Sequence, residues 1–359
     1  MPEFAACGYP LRHVVADDVP AVYQLYRTIE PQDEIDAAGF ERWWRWLYVE
    51  NPRQLNVVLG SFDAEGRNTG HLALLPIDFI IDGEHVLACS ACQLMVADTK
   101  RRTLLYPSLV RRFFSDYPTH GCGFCYAEVT RPRVLAANLA LGFRRIGRLP
   151  VYARAYRFEK LARMKLGRRF GWLRPALSMG RWIARAGVPW VGRRYGISAA
   201  PRIPDDFAPL LSALAGQFKL AALRSVPILN WRFTGNPDRG YRIFLARDKE
   251  RPAGYIVLRR MPMREFDTLA IVDLLFDQAR PDVGHALLRS AHRLAVFEGV
   301  DIAVMMLSEH SPFRRLLRLW GFMESPEQFT LILHEPEPHR LAQRPAQDWH
   351  VTWFDHDFV

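Results

Sequence analysis

No run of 18 or more uncharged apolar residues occurs anywhere in the 359 residues, which excludes a conventional membrane-spanning helix. The opening Met1-Pro2-Glu3-Phe4 lacks the basic-then-apolar pattern of a secretory leader, so a cytoplasmic protein is expected. Cysteine is scarce. Cys7, Cys89, Cys92, Cys122 and Cys125 make an odd count, which argues against a disulfide framework. There is no Walker loop and no dinucleotide fingerprint. No Ser–His–Asp order stands out either; Glu309, His310 and Ser311 are adjacent in sequence, which is not triad geometry. One stretch lacks acid altogether: Lys160 to Arg194 holds ten basic residues. Subtracting these ten from 48 Lys+Arg leaves 38, equal to the 38 Asp+Glu, so the net charge of +10 resides in that one segment. A globally basic nucleic-acid binder would not concentrate its charge in this way.

What is present is 49% hydrophobic residues, ample for buried cores, and an internal repeat. Trp46-Leu47-Tyr48-Val49-Glu50-Asn51-Pro52 and Trp231-Arg232-Phe233-Thr234-Gly235-Asn236-Pro237 both read W-x-aromatic-x-x-N-P. Each is followed by an apolar run, a polar turn and a second apolar run, the pattern of a β-hairpin. The runs are Val57–Leu59 and Gly70–Leu74 in the first copy, Ile243–Leu245 and Gly254–Leu258 in the second. Each copy then has an apolar strand, a helix, a second strand and an ending in Leu/Trp-Gly-Phe, at Leu141-Gly142-Phe143 and Trp320-Gly321-Phe322. The period is too long for a solenoid, so the pattern implies domain duplication. The expected divisions are 1–159, a basic linker at 160–200, a second domain at 201–340 and a tail at 341–359. In the linker, Trp172, Ala176, Met179, Ile183 and Ala186 form one helical stripe opposite Arg174, Arg181 and Arg185. Such a helix packs on a domain, or lies on an anionic membrane surface through 160–194.

The pairs Cys89/Cys92 and Cys122/Cys125 have zinc-like spacing. Both lie at or within apolar runs read as neighbouring strands, where positions i and i+3 face opposite sides. Four thiolates converge poorly there, so buried cysteines and no metal are expected.

The order of elements and the Gly-Phe endings resemble the GNAT superfamily, the acyl-CoA N-acyltransferase fold, over about 11–158 and 202–335. The resemblance implies an α/β chain of two tandem GNAT-like domains. Each would hold a mixed, mostly antiparallel central sheet flanked by helices. It also implies acetyl-CoA or a longer acyl-CoA as co-substrate. In this superfamily a strand ends in R/Q-x-x-G-x-G/A, whose backbone amides hold the CoA pyrophosphate at a helix start. Here the matching strand is Cys92 to Ala97, so Met95, Val96, Arg101, Arg102, Thr103, Leu104, Leu105 and Tyr106 would form that cradle. Leu104 and Tyr106 replace its two glycines. The general-acid tyrosine of many relatives is Asn138, which hydrogen-bonds but does not donate a proton at neutral pH, and Leu317 in the second copy. Glu128, at the end of its strand, is the candidate general base; Glu309 is its counterpart in the second copy. The second copy's loop, Asp277 to Gly284, has one glycine, two carboxylates and a proline, so that copy reads as degenerate. Asp273 in mid-strand reads as a structural acid needing buried partners.

The implied activity is transfer of an acyl group to an amine, either a small molecule or a lipid-linked one. Two alternatives remain: a FemAB-like aminoacyl-tRNA-dependent transferase, whose linker would meet RNA, and a non-catalytic membrane-peripheral or scaffold protein.

Overall fold

The computed structural model describes residues 10–31, 33–157, 160, 194–237, 239–336 and 340–356. The helical stripe of the linker and Cys7 lie outside the described residues. Contacts divide the chain into two units: 1–147 with 235–238 and 330–345, and 148–234 with 239–329 and 346–359. The units do not follow the sequence repeats residue for residue, because each repeat lends its last strand to the other unit.

The first unit opens with β1 (Leu11–His13), α1 (Val19–Ile29) and α2 (Ala37–Tyr48). Asp18 receives the Val15 amide at 2.9 Å and pairs with Arg12 at 2.6 Å, closing the turn that starts α1. Asp36 caps α2 by accepting from Gly39 N at 2.7 Å. The repeated Asn explains itself after α2. Buried Asn51 donates to the carbonyls of Tyr48 and Leu55 and accepts from Arg53 N, which folds the chain into the next strand. There follow β2 (Val57–Phe62), β3 (Asn68–Ile81), β4 (Glu84–Val96), α3 (Leu105–Asp116), β5 (Phe124–Val129) and α4 (Pro132–Leu141). The first five strands stand in chain order, antiparallel except for the parallel pair β4–β5. On the far edge of β5, Cys125–Val129 pairs antiparallel with Thr330–His334, from the end of the second repeat. Tyr117 Oη fixes that strand through His334 Nδ1 at 2.8 Å.

The second unit reciprocates. It takes the end of β6 (Arg144–Ala155), whose Val151–Ala155 pairs antiparallel with β12 (Ile302–Met306). Its own elements are β7 (Gly196–Ala200), α5 (Ala208–Ala215), β8 (Leu220–Ala222), α6 (Val226–Phe233), β9 (Tyr241–Asp248), β10 (Arg251–Met263) and β11 (Phe266–Phe276). After these come α7 (Pro281–Glu298), β12, α8 (Arg314–Leu319), β13 (Met323–His334) and β14 (Trp349–His350). Its strands run β6-β12-β11-β10-β9-β7, with β11 and β12 parallel. Each unit is thus the mixed, mostly antiparallel sheet expected, with apolar helix faces on it. One core packs Leu105, Leu109 and Phe113 of α3 on Leu72, Leu74 and Ala127. The other packs Val283, Leu287 and Ala291 of α7 on Ile256, Ile271 and Leu274.

Gly284 lies where α7 packs closely on Phe276 and Leu316. A Cβ there would sit 2.5 Å from both Leu316 Cδ2 and Phe276 Cζ. The sole glycine of the second loop therefore serves helix packing, not approach to a phosphate.

Candidate functional site

In the first unit the two central strands pair only over Ala88↔Phe124, Cys89↔Cys125 and Ser90↔Tyr126. Beyond that, β4 runs on to Val96 and β5 to Val129, and among the described residues no strand pairing enters the gap between them. A bulge directs β4 away. His71 faces Met95 and Ala73 faces Cys92, so the register slips between them, and Gln93 takes φ = 51°. Ala97 N donates to Thr69 O at 2.9 Å. By antiparallel alternation Met95 turns its polar groups to β3, while those of Val96 face the gap. Of the two strand positions expected in the cradle, Val96 is the one aimed at the opening.

The loop after β4 is wound more tightly than a phosphate nest. The amides of Lys100, Arg101 and Thr103 donate to Ala97 O, Asp98 O and Lys100 O at 2.8, 3.3 and 3.1 Å, and Leu105 N reaches Thr103 Oγ1 at 3.3 Å. Arg101, Thr103 and Leu105 therefore spend their amides inside the turn, contrary to the open cradle expected of them. Arg101 and Arg102 project outward; Arg101 holds Asp98 at 2.7 Å. Leu104 is 56% exposed and stands as the N-cap of α3 without a side-chain bond.

Tyr106 and Asn138 come together. Tyr106 Oη donates to Asn138 Oδ1 at 2.7 Å, joining the first turn of α3 to α4. Burial pushes the Tyr106 phenol up to about 12. Asn138 itself is buried, so it works as an acceptor that positions Tyr106.

Glu128 sits on the other face. Cys125, Ala127 and Val129 of β5 point into the α3 core, while Phe124 and Tyr126 pack on Phe79. Alternation puts half-buried Glu128 with the latter, beside the gap and opposite Leu331. The start of α3 and the carboxylate thus approach one opening from two faces.

Sequence reasoning missed His71. Its Nδ1–H donates to Gln93 O at 2.8 Å, holding the bulge, and its buried Nε2 has no hydrogen-bond partner among the described residues. Burial lowers its pKa to about 4. The unfolded chain, with histidine near 6.5, binds the proton first as pH falls. Stability contributed by neutral His71 is therefore complete above pH 6.5 and is lost down to pH 4, about 3 kcal/mol in all. Urea unfolding of wild type and His71→Gln at pH 7.0 and 4.5 tests this; the variant should show a markedly smaller acid loss, and parallel losses would refute it. Only the placement of a polar residue inside the apolar run Gly70–Leu74 hinted at this role.

The cysteines divide by face. Cys89, Cys122 and Cys125 share the α3 core, and burial pushes the Cys89 thiol up. Cys92 turns to the other side, 3.7 Å from Tyr48 Oη. The opposed facing expected for Cys89 and Cys92 is present. Cys122 precedes β5 and escapes the strand rule, so it joins Cys125 on one side.

In the second unit the corresponding gap is filled. β11 and β12 pair only over Thr268–Ala270 and Ile302–Val304. The tail then enters: Thr352 bridges Leu307, Ser308 N donates to Val351 O at 3.1 Å, and Val351 N donates to Ser308 Oγ at 2.7 Å. On the β11 side Thr352 Oγ1 donates to Asp273 Oδ1 at 2.9 Å. Asp273 also receives Arg224 at 3.0 Å and Tyr255 Oη at 2.6 Å, and Arg224 reaches Asp355 at 3.1 Å. This network, buried throughout, is structural, as read for Asp273. Glu309 faces Arg148 at 3.5 Å, and Leu317 is fully buried.

Solved structures share the fold of this chain at low sequence identity. The chain is similar to a GCN5-related N-acetyltransferase from Anabaena variabilis, with TM-score 0.63 and 13% identity over 90% of this chain and 72% of that one. It is similar to Saccharomyces cerevisiae N-myristoyltransferase, solved with bound myristoyl-CoA, with TM-score 0.62 and 12% identity over 93% and 80%. A GCN5-related N-acetyltransferase from Kribbella flavida gives 0.58 and 14% over 92% and 72%. The fold is that of the GNAT superfamily. No family model and no curated protein sequence matches the chain. Among the described residues no helix is long and apolar enough to cross a membrane.

Proposed function

We propose that the chain is an acyl-CoA-dependent N-acyltransferase whose working site is the first unit. The acyl donor is acetyl-CoA or a longer acyl-CoA, and the acceptor is an amine, small or lipid-linked. The observation that carries this reading is the gap between β4 and β5, with the α3 start on one face and Glu128 on the other. The second unit spends the same gap on its own tail.

In this reading the thioester carbonyl lies in the gap, where Val96 N–H polarises it. The amine attacks that carbon, the C–N bond forms, the C–S bond breaks, and CoA leaves as the thiolate. Glu128 takes the proton from the attacking amine. Arg101 and Arg102 supply charge for the pyrophosphate in place of the missing glycines. The tight turn at 98–103 leaves fewer amides for it, so side chains carry more of the binding than backbone.

Thermal unfolding with acetyl-CoA and longer acyl-CoAs tests the donor. A species present at about 100 times its Kd stabilises the folded chain by roughly 2.7 kcal/mol. Arg101→Glu should weaken binding about tenfold or more, since charge-assisted contact becomes repulsion. If no CoA species raises Tm, or Arg101→Glu binds as well as wild type, the proposal fails.

A further inference from the structure

Outside the tail-filled gap, the second unit has a cavity of about 360 Å³ between the start of α7 and α8. This is within the size range of small-molecule sites. Its floor is Phe276 and Phe313, whose rings stack with centroids 4.7 Å apart. Leu316 and Leu319 form an apolar wall, and Leu319 is 62% exposed at the mouth. Polar chemistry comes mainly from His285 and Arg315, and no carboxylate is among the lining residues.

Both of those groups are donors. His285 Nδ1 accepts from Trp320 Nε1 at 2.9 Å, which leaves the ring proton on Nε2. Burial, reinforced by Arg289, lowers the His285 pKa and keeps the ring neutral. Arg315 is exposed at the rim. The cavity therefore offers an apolar body, the His285 N–H and one full positive charge, beside the Gln278 side chain, whose amide nitrogen is bonded to Gln217 O at 3.5 Å.

That charge count separates two kinds of anion. A diphosphate needs several donors at the helix start, and here they are taken. Gln278 N donates to Gln217 Oε1 at 3.1 Å, Ala279 N to Asp277 Oδ1 at 2.9 Å and Arg280 N to Asp277 O at 2.8 Å. The first helical residue is Pro281, which has no N–H, and Asp277 and Asp282 flank it. A monoanion with an apolar tail needs fewer donors, and Arg315 and the His285 N–H supply them.

We propose that this cavity binds a medium-chain carboxylate. The carboxylate lies between Arg315 and His285 Nε2–H, and the chain lies along Phe276 and Phe313. The site is independent of the acyl-transfer site in the first unit, because it shares no residue with it.

Isothermal titration of the full chain with octanoate, octylamine and CoA tests it, on wild type, Arg315→Glu and Arg101→Glu. Octanoate should bind one to one, lose about tenfold or more in affinity in Arg315→Glu, and be unaffected by Arg101→Glu. Octylamine should not bind. The proposal is overturned if octanoate does not bind, if Arg315→Glu binds it equally well, or if octylamine binds as tightly. It is also overturned if CoA binding, rather than octanoate binding, is what Arg315→Glu removes. Loss of CoA binding in Arg101→Glu alone bears only on the first unit.

Discussion

Replacing Arg224 by methionine should destabilise the chain by about 3–5 kcal/mol, the usual cost of stranding a buried charge. Arg224 is 4% exposed, and the two carboxylates it serves, Asp273 and Asp355, are 0% and 1% exposed. Its Nε and one Nη bond Asp273 at 3.0 and 3.3 Å, and Nη2 bonds Asp355 at 3.1 Å. Burial opposes the guanidinium charge, but the two carboxylates outweigh it and the Arg224 pKa rises. Burial raises the Asp355 pKa even with Arg224 beside it. Without Arg224, both acids would have to ionise unpaired or take up protons. Urea unfolding at pH 7 measures the loss. The compensated variant Arg224→Met/Asp273→Asn/Asp355→Asn should recover a large part of it, because an uncharged set has no desolvated charge to balance. A loss below about 1 kcal/mol in Arg224→Met would mean that the triad is wetter than its burial implies.

This network also explains how the second unit keeps its shape where β11 and β12 part. The parting of β11 and β12 leaves backbone groups on both strands without ladder partners, and buried groups of that kind need satisfaction. The tail supplies it through Leu307↔Thr352, Ser308–Val351 and Thr352–Asp273. A ligand in the corresponding gap of the first unit would meet the same need. The second unit's gap is thus closed by the chain itself.

Much of the local structure could be read from the residues. The hairpins and the strand Phe124–Val129 follow from apolar alternation and from turn residues, both of which act over a few positions. Asn51 was visible as half of a repeat, although its work is to close the turn after α2. The exchanged strands were not visible. Thr330–His334 and Val151–Ala155 are equally good strands whichever partner they join, and pairing across 147 to 209 residues leaves no local mark. The bulge at Gln93 was hidden because a non-glycine residue carries the positive φ, with His71 holding its carbonyl. In the tail, nothing near Asp355 points to Arg224, 131 residues away. The winding of the loop was hidden for a related reason. The spacing matches Arg101, Leu104 and Tyr106 to the motif, while the amides of Arg101, Thr103 and Leu105 bond within the turn, to Asp98, Lys100 and Thr103.

Glu128→Gln should lower kcat of acyl transfer by about 10²–10⁴-fold, the range for loss of a general base, with the KM for acyl-CoA little changed. Glutamine keeps the shape of the side chain and removes its ability to accept a proton. In the proposed reading the donor approaches from the α3 face and Glu128 stands on the other, so the substitution should leave donor binding intact. The deficit should shrink as pH rises through the acceptor amine's own pKa, because an amine that is already neutral needs no base to remove its first proton. Glu309→Gln serves as the internal control. Glu309 faces Arg148 in a unit whose gap holds Val351 and Thr352, so its loss should leave kcat unchanged. If Glu309→Gln abolishes turnover and Glu128→Gln does not, catalysis belongs to the second unit and the tail must leave its cleft for the reaction. If neither variant changes kcat, neither Glu128 nor Glu309 is the base.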